Sequence, residues 1–305
     1  MPEEYRSIYR PDLFADRVVL VTGGGTGIGR CTAHELARLG ATVVVGGRTR
    51  ETLERTAAEI AARGGRCDTA LIYIRDADGV DAAIAGIVRE HGCIDGLFNN
   101  AGGQFFAPIE QMSPNAWRTV VDLNLNGTFL MCTAAYRHSM KERGGAIVNM
   151  LADIWSGFPG LAHMAAARAG IENMSLSMTL EWSAFDIRVN CVAPGTILSS
   201  GMLTYPEHVQ RRTVDSVRAL PSGRFGTESE VSAAVVFLLS PGAAHVRGQT
   251  IRVDGAESLQ KTRMWPITRE QGTTAFDAFA PGPDFGGTPF ADLARLQGGG
   301  DERGR

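Results

Sequence analysis

Apolar residues recur along the chain in short solid runs separated by longer amphipathic stretches. Val18 to Val21 is one such run, and the turn Thr22-Gly23-Gly24-Gly25-Thr26-Gly27-Ile28-Gly29 follows at once. In the next stretch, RCTAHELARLG, residues Ala33, Leu36, Ala37 and Leu39 approximate one helical face, and Gly40 ends it before the run ATVVVGG. Strand, glycine turn, helix and second strand within about 30 residues make a βαβ unit. The alternation then continues. ETLERTAAEIAARGG reads as a helix, CDTALIYI as a strand, GVDAAIAGIVREHG as a helix, and IDGLFNNAG as a strand ending in a turn. SPNAWRTVVDLNLNGTFLMCTAAYRHSMKE is helical, GAIVNML a strand, HMAAARAGIENMSLSMTLEWSA a helix, IRVNCVAPG a strand, ESEVSAAVVFLLS a helix and GQTIRVDG a strand. Strands nearly continuous in Val, Ile and Leu, alternating with amphipathic helices, predict an α/β fold with a doubly wound parallel sheet covered on both faces. Its ligand crevice is expected beyond the C-terminal strand ends.

Residues 1–258 read as one domain, with an interruption of the α/β rhythm at 196–224 where such folds carry a substrate lid. Residues 259–305 form a Gly- and Pro-rich C-terminal extension. It is either a solvent-exposed tail or an arm laid across a neighbouring subunit, anchored by Trp265, Phe276, Phe279 and Phe290.

Composition narrows the function classes. Thirty Lys and Arg against 33 Asp and Glu give a net charge of −3, which argues against nucleic-acid binding through backbone charge. Apolar residues at 44% and charged residues at 21% fit a globular chain rather than bulk disorder. No secretory signal and no run long enough to span a membrane is present, so a cytoplasmic location is expected. The five cysteines are scattered and form no CxxC pair, which predicts free thiols in a reducing compartment. The histidines make no close ligand set, so no metal site is expected.

The glycine turn carries the first chemistry. A strand precedes it and a helix follows, the context in which Gly23 can take a positive φ while Gly27 and Gly29 let backbone and helix approach a pyrophosphate. The helix N-terminus adds N–H donors and a favourable dipole. After the second strand, where an NAD site places a carboxylate on the ribose, the chain reads Val45-Gly46-Gly47-Arg48. Arg48 suits a 2′-phosphate, so NADP(H) is expected over NAD(H). Asn100, Ala101 and Gly102, in the turn after Asn99, are small or short polar residues fit to border the cofactor.

TGGGTGIG, NNAG, the NLNGTF segment and VNCVAPG, in that order across residues 15–258, resemble the motifs of the short-chain dehydrogenase/reductase family. The resemblance implies a Rossmann-type subunit, a nicotinamide cofactor and a homotetramer. It adds Thr26, Ile28, Pro194, Gly195 and Ile197 to the cofactor site. The family's usual serine, tyrosine and lysine are missing: the serine region reads Asn149-Met150-Leu151-Ala152-Asp153, the tyrosine place holds Met164, and the lysine place holds Arg168. Methionine neither gives nor takes a proton, and a guanidinium stays protonated. Arg168 can still hydrogen-bond the nicotinamide ribose and hold positive charge near the hydride site.

Reduction of an activated carbon–carbon double bond asks less of a proton donor, because charge develops on a thioester oxygen where donors stabilise an enolate. NNAGGQFFAPIE, SGFPG, AARAG and LEW resemble peroxisomal trans-2-enoyl-CoA reductases and their dienoyl-CoA reductase relatives, while YRPDLF, NMLADIW, SSGM and TESEVSAA resemble bacterial dehydrogenases of citronellol and acyclic-terpene catabolism. The C-terminal Arg303-Gly304-Arg305 is no peroxisomal tripeptide, which favours a bacterial cytosol.

Candidate catalytic residues are Asn124, which resembles the family asparagine that holds a backbone kink and a water; Arg168; His163, one residue before the lost tyrosine, as an acid; and Asp153, as a proton source if its pKa is raised. Gln104, Phe105, Met164 and Tyr205 are expected at the substrate pocket, with Phe106, Phe158 and Trp155 as further wall candidates. Arg211, Arg212 and Arg218 suit the phosphates of a CoA ester, and Tyr73 falls where the family contacts adenine. The leading expectation is an NADP(H)-dependent reductase of an enoyl-CoA thioester. Its rivals are an alcohol or aldehyde oxidoreductase of citronellol-type catabolism, and a catalytically inactive nucleotide-binding family member.

Overall fold

A computed structural model describes residues 8–217, 220–259, 273–280 and 282–293. Trp265 and Arg218 lie outside the described residues. Among the described residues, seven parallel strands form one sheet in the order β3-β2-β1-β4-β5-β6-β7: β1 Val18–Thr22, β2 Thr42–Gly47, β3 Arg66–Leu71, β4 Gly96–Asn99, β5 Gly145–Met150, β6 Ile187–Pro194 and β7 Thr250–Val253. Sequence order reverses between β1 and β4, which pair side by side, so a crevice opens above their C-terminal ends.

The helices are α1 Gly27–Arg38, α2 Arg50–Ala61, α3 Ala77–His91, α4 Pro114–Val121, α5 Gly127–Ala135, α6 Lys141–Arg143, α7 Ala162–Glu181, α8 Glu207–Ser216 and α9 Glu228–Leu239. Alternation along the strands sends Val19 and Val21 to one face and Val18 and Leu20 to the other. The first face is covered by Leu36, Leu53, Ile60, Val231 and Val235 from α1, α2 and α9; the second by Ile84, Ile87, Met131 and Met178 from α3, α5 and α7. Burial on both faces explains why the central strands read as unbroken apolar runs.

The edge strand differs. β3 is mostly exposed and ends at Leu71, before the expected IYI portion of its run, because only β2 pairs with it. The long helical segment after residue 113 is likewise not uniform: α4, α5 and α6 are joined through π-helical turns at Asp122–Asn126 and Tyr136–Met140. The five cysteines are free. Among the described residues, no helix is long and apolar enough to cross a membrane. Residues 273–280 and 282–293 run back over the start of α9 and the lid of the same chain, where Phe290 is fully buried.

Candidate active site

Backbone crowding shapes the first half of the site. Gly23 and Gly27 have φ of +65° and +58°, and a Cβ on Gly29 would stand 2.4 Å from the carbonyl oxygen of Gly23. The Thr22 hydroxyl accepts from the N–H groups of Asn100 and Ala101, both at 3.0 Å, and Asn100 Nδ2 donates to the carbonyls of Thr22 and Gly23. The ends of β1 and β4 are thereby stapled together. Above them lies a cavity of about 750 Å3 bordered by Gly23, Thr26, Gly27, Ile28, Asn100, Ala101 and Gly102. Arg48, Thr49 and the exposed Tyr73 border its far end. Arg48 forms no ion pair among the described residues, and the cradle of glycine backbone and helix N-terminus fits the pyrophosphate of a dinucleotide.

A second cavity, of about 540 Å3, adjoins the first: Ile28, Asn100, Gln104, Arg168, Ser199 and Gly201 border both. Its walls include Phe106, Met150, Leu151, Phe158, Leu161, Met164 and Met202, and Pro194, Gly195 and Ile197, expected at the cofactor, border this cavity and not the first. Arg168, at the junction, is buried and donates to the carbonyl of Met150. Burial lowers its pKa to about 10, and no carboxylate forms an ion pair with it among the described residues. A buried cation without a counter-charge is costly, and an electron-rich ligand at this junction offsets that cost.

Tyr205 and Asp153 both border the second cavity. Tyr205, just after the lid's 3-10 turn Ser200–Thr204, accepts a 2.8 Å hydrogen bond from Gln104 Nε2 and packs edge-on against Phe106. Asp153, after β5, has its Oδ1 buried without a hydrogen-bond partner; burial, then Asp254, push its carboxyl up. The sequence reading missed Glu257, which borders the same cavity and accepts from the N–H and hydroxyl of Thr196 at 2.8 and 3.0 Å. Burial raises it, as do Asp153 and Asp254. The available signal was the acidic run just past β7, Asp254 to Glu257, at a strand end on the ligand side.

The remaining candidates border neither cavity. Asn124 sits fully buried in the first π turn, where its Nδ2 donates to the carbonyls of Gly103 (2.8 Å) and Val120 (2.9 Å) and its Oδ1 accepts from Gly103 N. It fixes the backbone just beyond the NNAG turn. His163 is fully buried, its Nδ1 accepts from Met164 N–H, its Nε2 has no partner, and burial lowers its pKa. Phe105 packs against that ring at 4.7 Å. Trp155 stacks under the Arg252 guanidinium, and Arg211 pairs with Glu207 on the exposed face of α8. Arg212 borders an outer groove together with His208 and Phe158.

A dinucleotide cradle that opens into an apolar cavity across a buried cation defines an NAD(P)-dependent oxidoreductase. The chain belongs to the short-chain dehydrogenase/reductase family: the family model that matches it, over residues 23–256, is described as enoyl-(acyl carrier protein) reductase. The citronellol catabolism dehydrogenase of Pseudomonas aeruginosa is 48% identical, with 83% of this chain and 100% of that chain covered at a TM-score of 0.75. A probable 2,4-dienoyl-CoA reductase of Bacillus subtilis is 38% identical over 80% of this chain and 97% of its own. The peroxisomal 2,4-dienoyl-CoA reductase of Rattus norvegicus is 35% identical over 83% of this chain and 87% of its own.

Proposed function

We propose that the protein is an NADP(H)-dependent oxidoreductase of acyclic terpenoid catabolism that interconverts a citronellol-type alcohol and its aldehyde. The observation that carries this reading is the cavity of about 540 Å3 at the strand ends, apolar around Phe106, Leu161, Met164 and Met202 and polar at Tyr205 and Asp153. A flexible branched hydrocarbon chain suits such walls, and a single oxygen suits the two polar groups. The 48% identity to a citronellol catabolism dehydrogenase, across that protein's whole length, supports the same substrate class.

The glycine turn and the N-terminus of α1 would hold the pyrophosphate, and Arg48 the 2′-phosphate. Bound there, the nicotinamide supplies or accepts a hydride at the substrate carbon. Arg168 holds positive charge beside the reacting oxygen. The Tyr205 hydroxyl already accepts from Gln104, which leaves its own hydrogen free to donate to that oxygen. An aldehyde oxygen that gains negative charge needs a proton, and alcohol oxidation returns one. Asp153, whose carboxyl is raised by burial and then by Asp254, is the group at the cavity wall that would exchange that proton.

A second reading, reduction of a branched enoyl thioester, is favoured by Met164 in the tyrosine place and by identity of 38% to a probable dienoyl-CoA reductase. There the oxygen needs only hydrogen bonds, and the proton goes to the α-carbon. Oxidation of citronellol by the purified protein, followed by NADP+ reduction with NAD+ as control, tests the proposal. Turnover favouring NADP+ is expected. Silence on citronellol and citronellal, with NADPH oxidised by a branched enoyl-CoA, transfers the site to the second reading.

A further inference from the structure

The match to the family model stops at residue 256, yet residues 273–280 and 282–293 pack on the site's own lid and on the start of α9. A polar seam comes first. Arg224 donates to Thr273 Oγ1 and to the carbonyl of Thr274, both at 3.1 Å. Thr227, which also caps α9, donates to the carbonyl of Phe276, and Ser229 both donates to the carbonyl of Ala278 and accepts from its N–H. Beyond the seam, Phe285 and Phe290 close over Leu198, Met202, Val217, Leu220 and Phe225. The Phe290 ring lies 6.4 Å from that of Phe225 and 6.0 Å from that of Phe285.

This stretch of the lid is apolar on two sides. Met202 and Tyr205 face the substrate cavity, while Leu198, Met202 and Leu220 face Phe285 and Phe290. The lid's polar side chains, Glu207, Arg211 and Asp215 among them, lie on the exposed face of α8, so Leu198 and Leu220 are kept from water by the cluster that Phe285 and Phe290 complete. On the inner side the Tyr205 hydroxyl accepts from Gln104 and its ring meets Phe106, while its carbonyl accepts from Gln210 and its ring packs against the cluster that Phe285 and Phe290 complete.

We propose that the chain beyond the family domain clamps the substrate lid, with Phe285 and Phe290 as positioning residues that hold Tyr205 at the cavity wall. The functional consequence rests on the reading that this cavity takes the substrate; the mechanical one does not. Apolar side chains on the C-terminal segment thereby set how far the lid opens and how large a substrate the cavity admits.

The test compares the full-length protein with Phe290→Leu and with Phe285→Ala/Phe290→Ala. Hydrogen exchange is followed over residues 198–217 and over β1 and α1, alongside NADPH affinity and the KM and kcat for citronellol. The clamp predicts exchange of the lid faster by about tenfold or more in the double variant and by less in Phe290→Leu, with β1, α1 and NADPH affinity unchanged. It also predicts a raised KM. An unaltered lid, or a rise spread evenly over the sheet, overturns the proposal. A loosened lid with an unchanged KM for citronellol upholds the mechanical clamp and overturns its role in setting what the cavity admits.

Discussion

Glu228 opens α9 directly beneath the lid, and its neutralisation by glutamine has a computable consequence. The side chain is buried, its Oε1 accepts from Ser200 N–H at 3.4 Å, Arg30 faces it from α1, and Asp277 approaches from the C-terminal segment. Burial pushes its carboxyl from the ordinary 4.5 up to about 7, because the Ser200 N–H and Arg30 offset only part of the desolvation and Asp277 adds to it. A carboxyl raised on folding binds its proton more tightly in the native state. Its contribution is therefore fully present below pH 4.5 and is lost as pH rises through 7. At about 1.4 kcal/mol for each pH unit, that gap is worth about 3 kcal/mol. Glu228→Gln keeps the shape and the acceptor but cannot ionise. Urea unfolding of the cofactor-free protein at a series of pH values should show the variant gaining on the wild type by about 3 kcal/mol between roughly pH 4.5 and pH 8. A difference between the two proteins that stays flat over that window refutes the reasoning. A dinucleotide pyrophosphate would sit beyond Gly27, whose added Cβ would meet Glu228 Oε1 at 3.7 Å. NADPH should accordingly bind more tightly as pH falls through 7 in the wild type, and much less so in the variant.

Arg48→Ala should weaken NADPH by about tenfold or more while leaving NADH nearly unchanged, as measured by calorimetric titration; equal losses for both would remove the 2′-phosphate role. Tyr205→Phe should lower kcat for citronellol by about ten- to a hundredfold with NADPH affinity intact, and an unchanged kcat would exclude its hydroxyl from the reacting oxygen. Arg188 is buried at the C-terminal end of α9 and donates to the carbonyls of Leu238, Leu239, Ser240 and Ala243. Arg188→Ala strands those acceptors and should cost about 2–4 kcal/mol in denaturant unfolding without shifting KM.

The parts of the molecule governed by local rules were legible in the sequence. The run Val18 to Val21, the glycine turn and the face built by Leu36 fixed β1 and α1 because each depends only on neighbouring residues and on burial of both sheet faces. Arg48 follows from its strand end and Arg168 from the resemblance to the family's lysine place, and both border the first cavity. Asn124 shows where such rules fail: its segment is helical in pattern, and the π turn that points its amide at Gly103 leaves the periodicity almost intact. Distance along the chain hid Glu257, which reaches the cavity only because β7 pairs with β6 and turns its loop toward Thr196. The same holds for Phe285, and for the partners of Phe290, an expected anchor whose contacts in the lid of its own chain are about 65 to 90 residues away. His163 is a case of helical geometry deciding the outcome, since its neighbour Met164 takes the place at the cavity and turns the imidazole toward Phe105.

Citral holds both candidate bonds in one molecule, a carbonyl and a double bond conjugated to it. Incubating it with the protein and NADPH carrying deuterium at the transferable position, then locating the label by mass spectrometry, tests the central claim directly, with a branched enoyl-CoA run beside it. The account predicts deuterium on the former carbonyl carbon, an allylic alcohol as product, and no consumption of the thioester. Deuterium on the β-carbon, with the carbonyl retained, or turnover confined to the thioester, contradicts it.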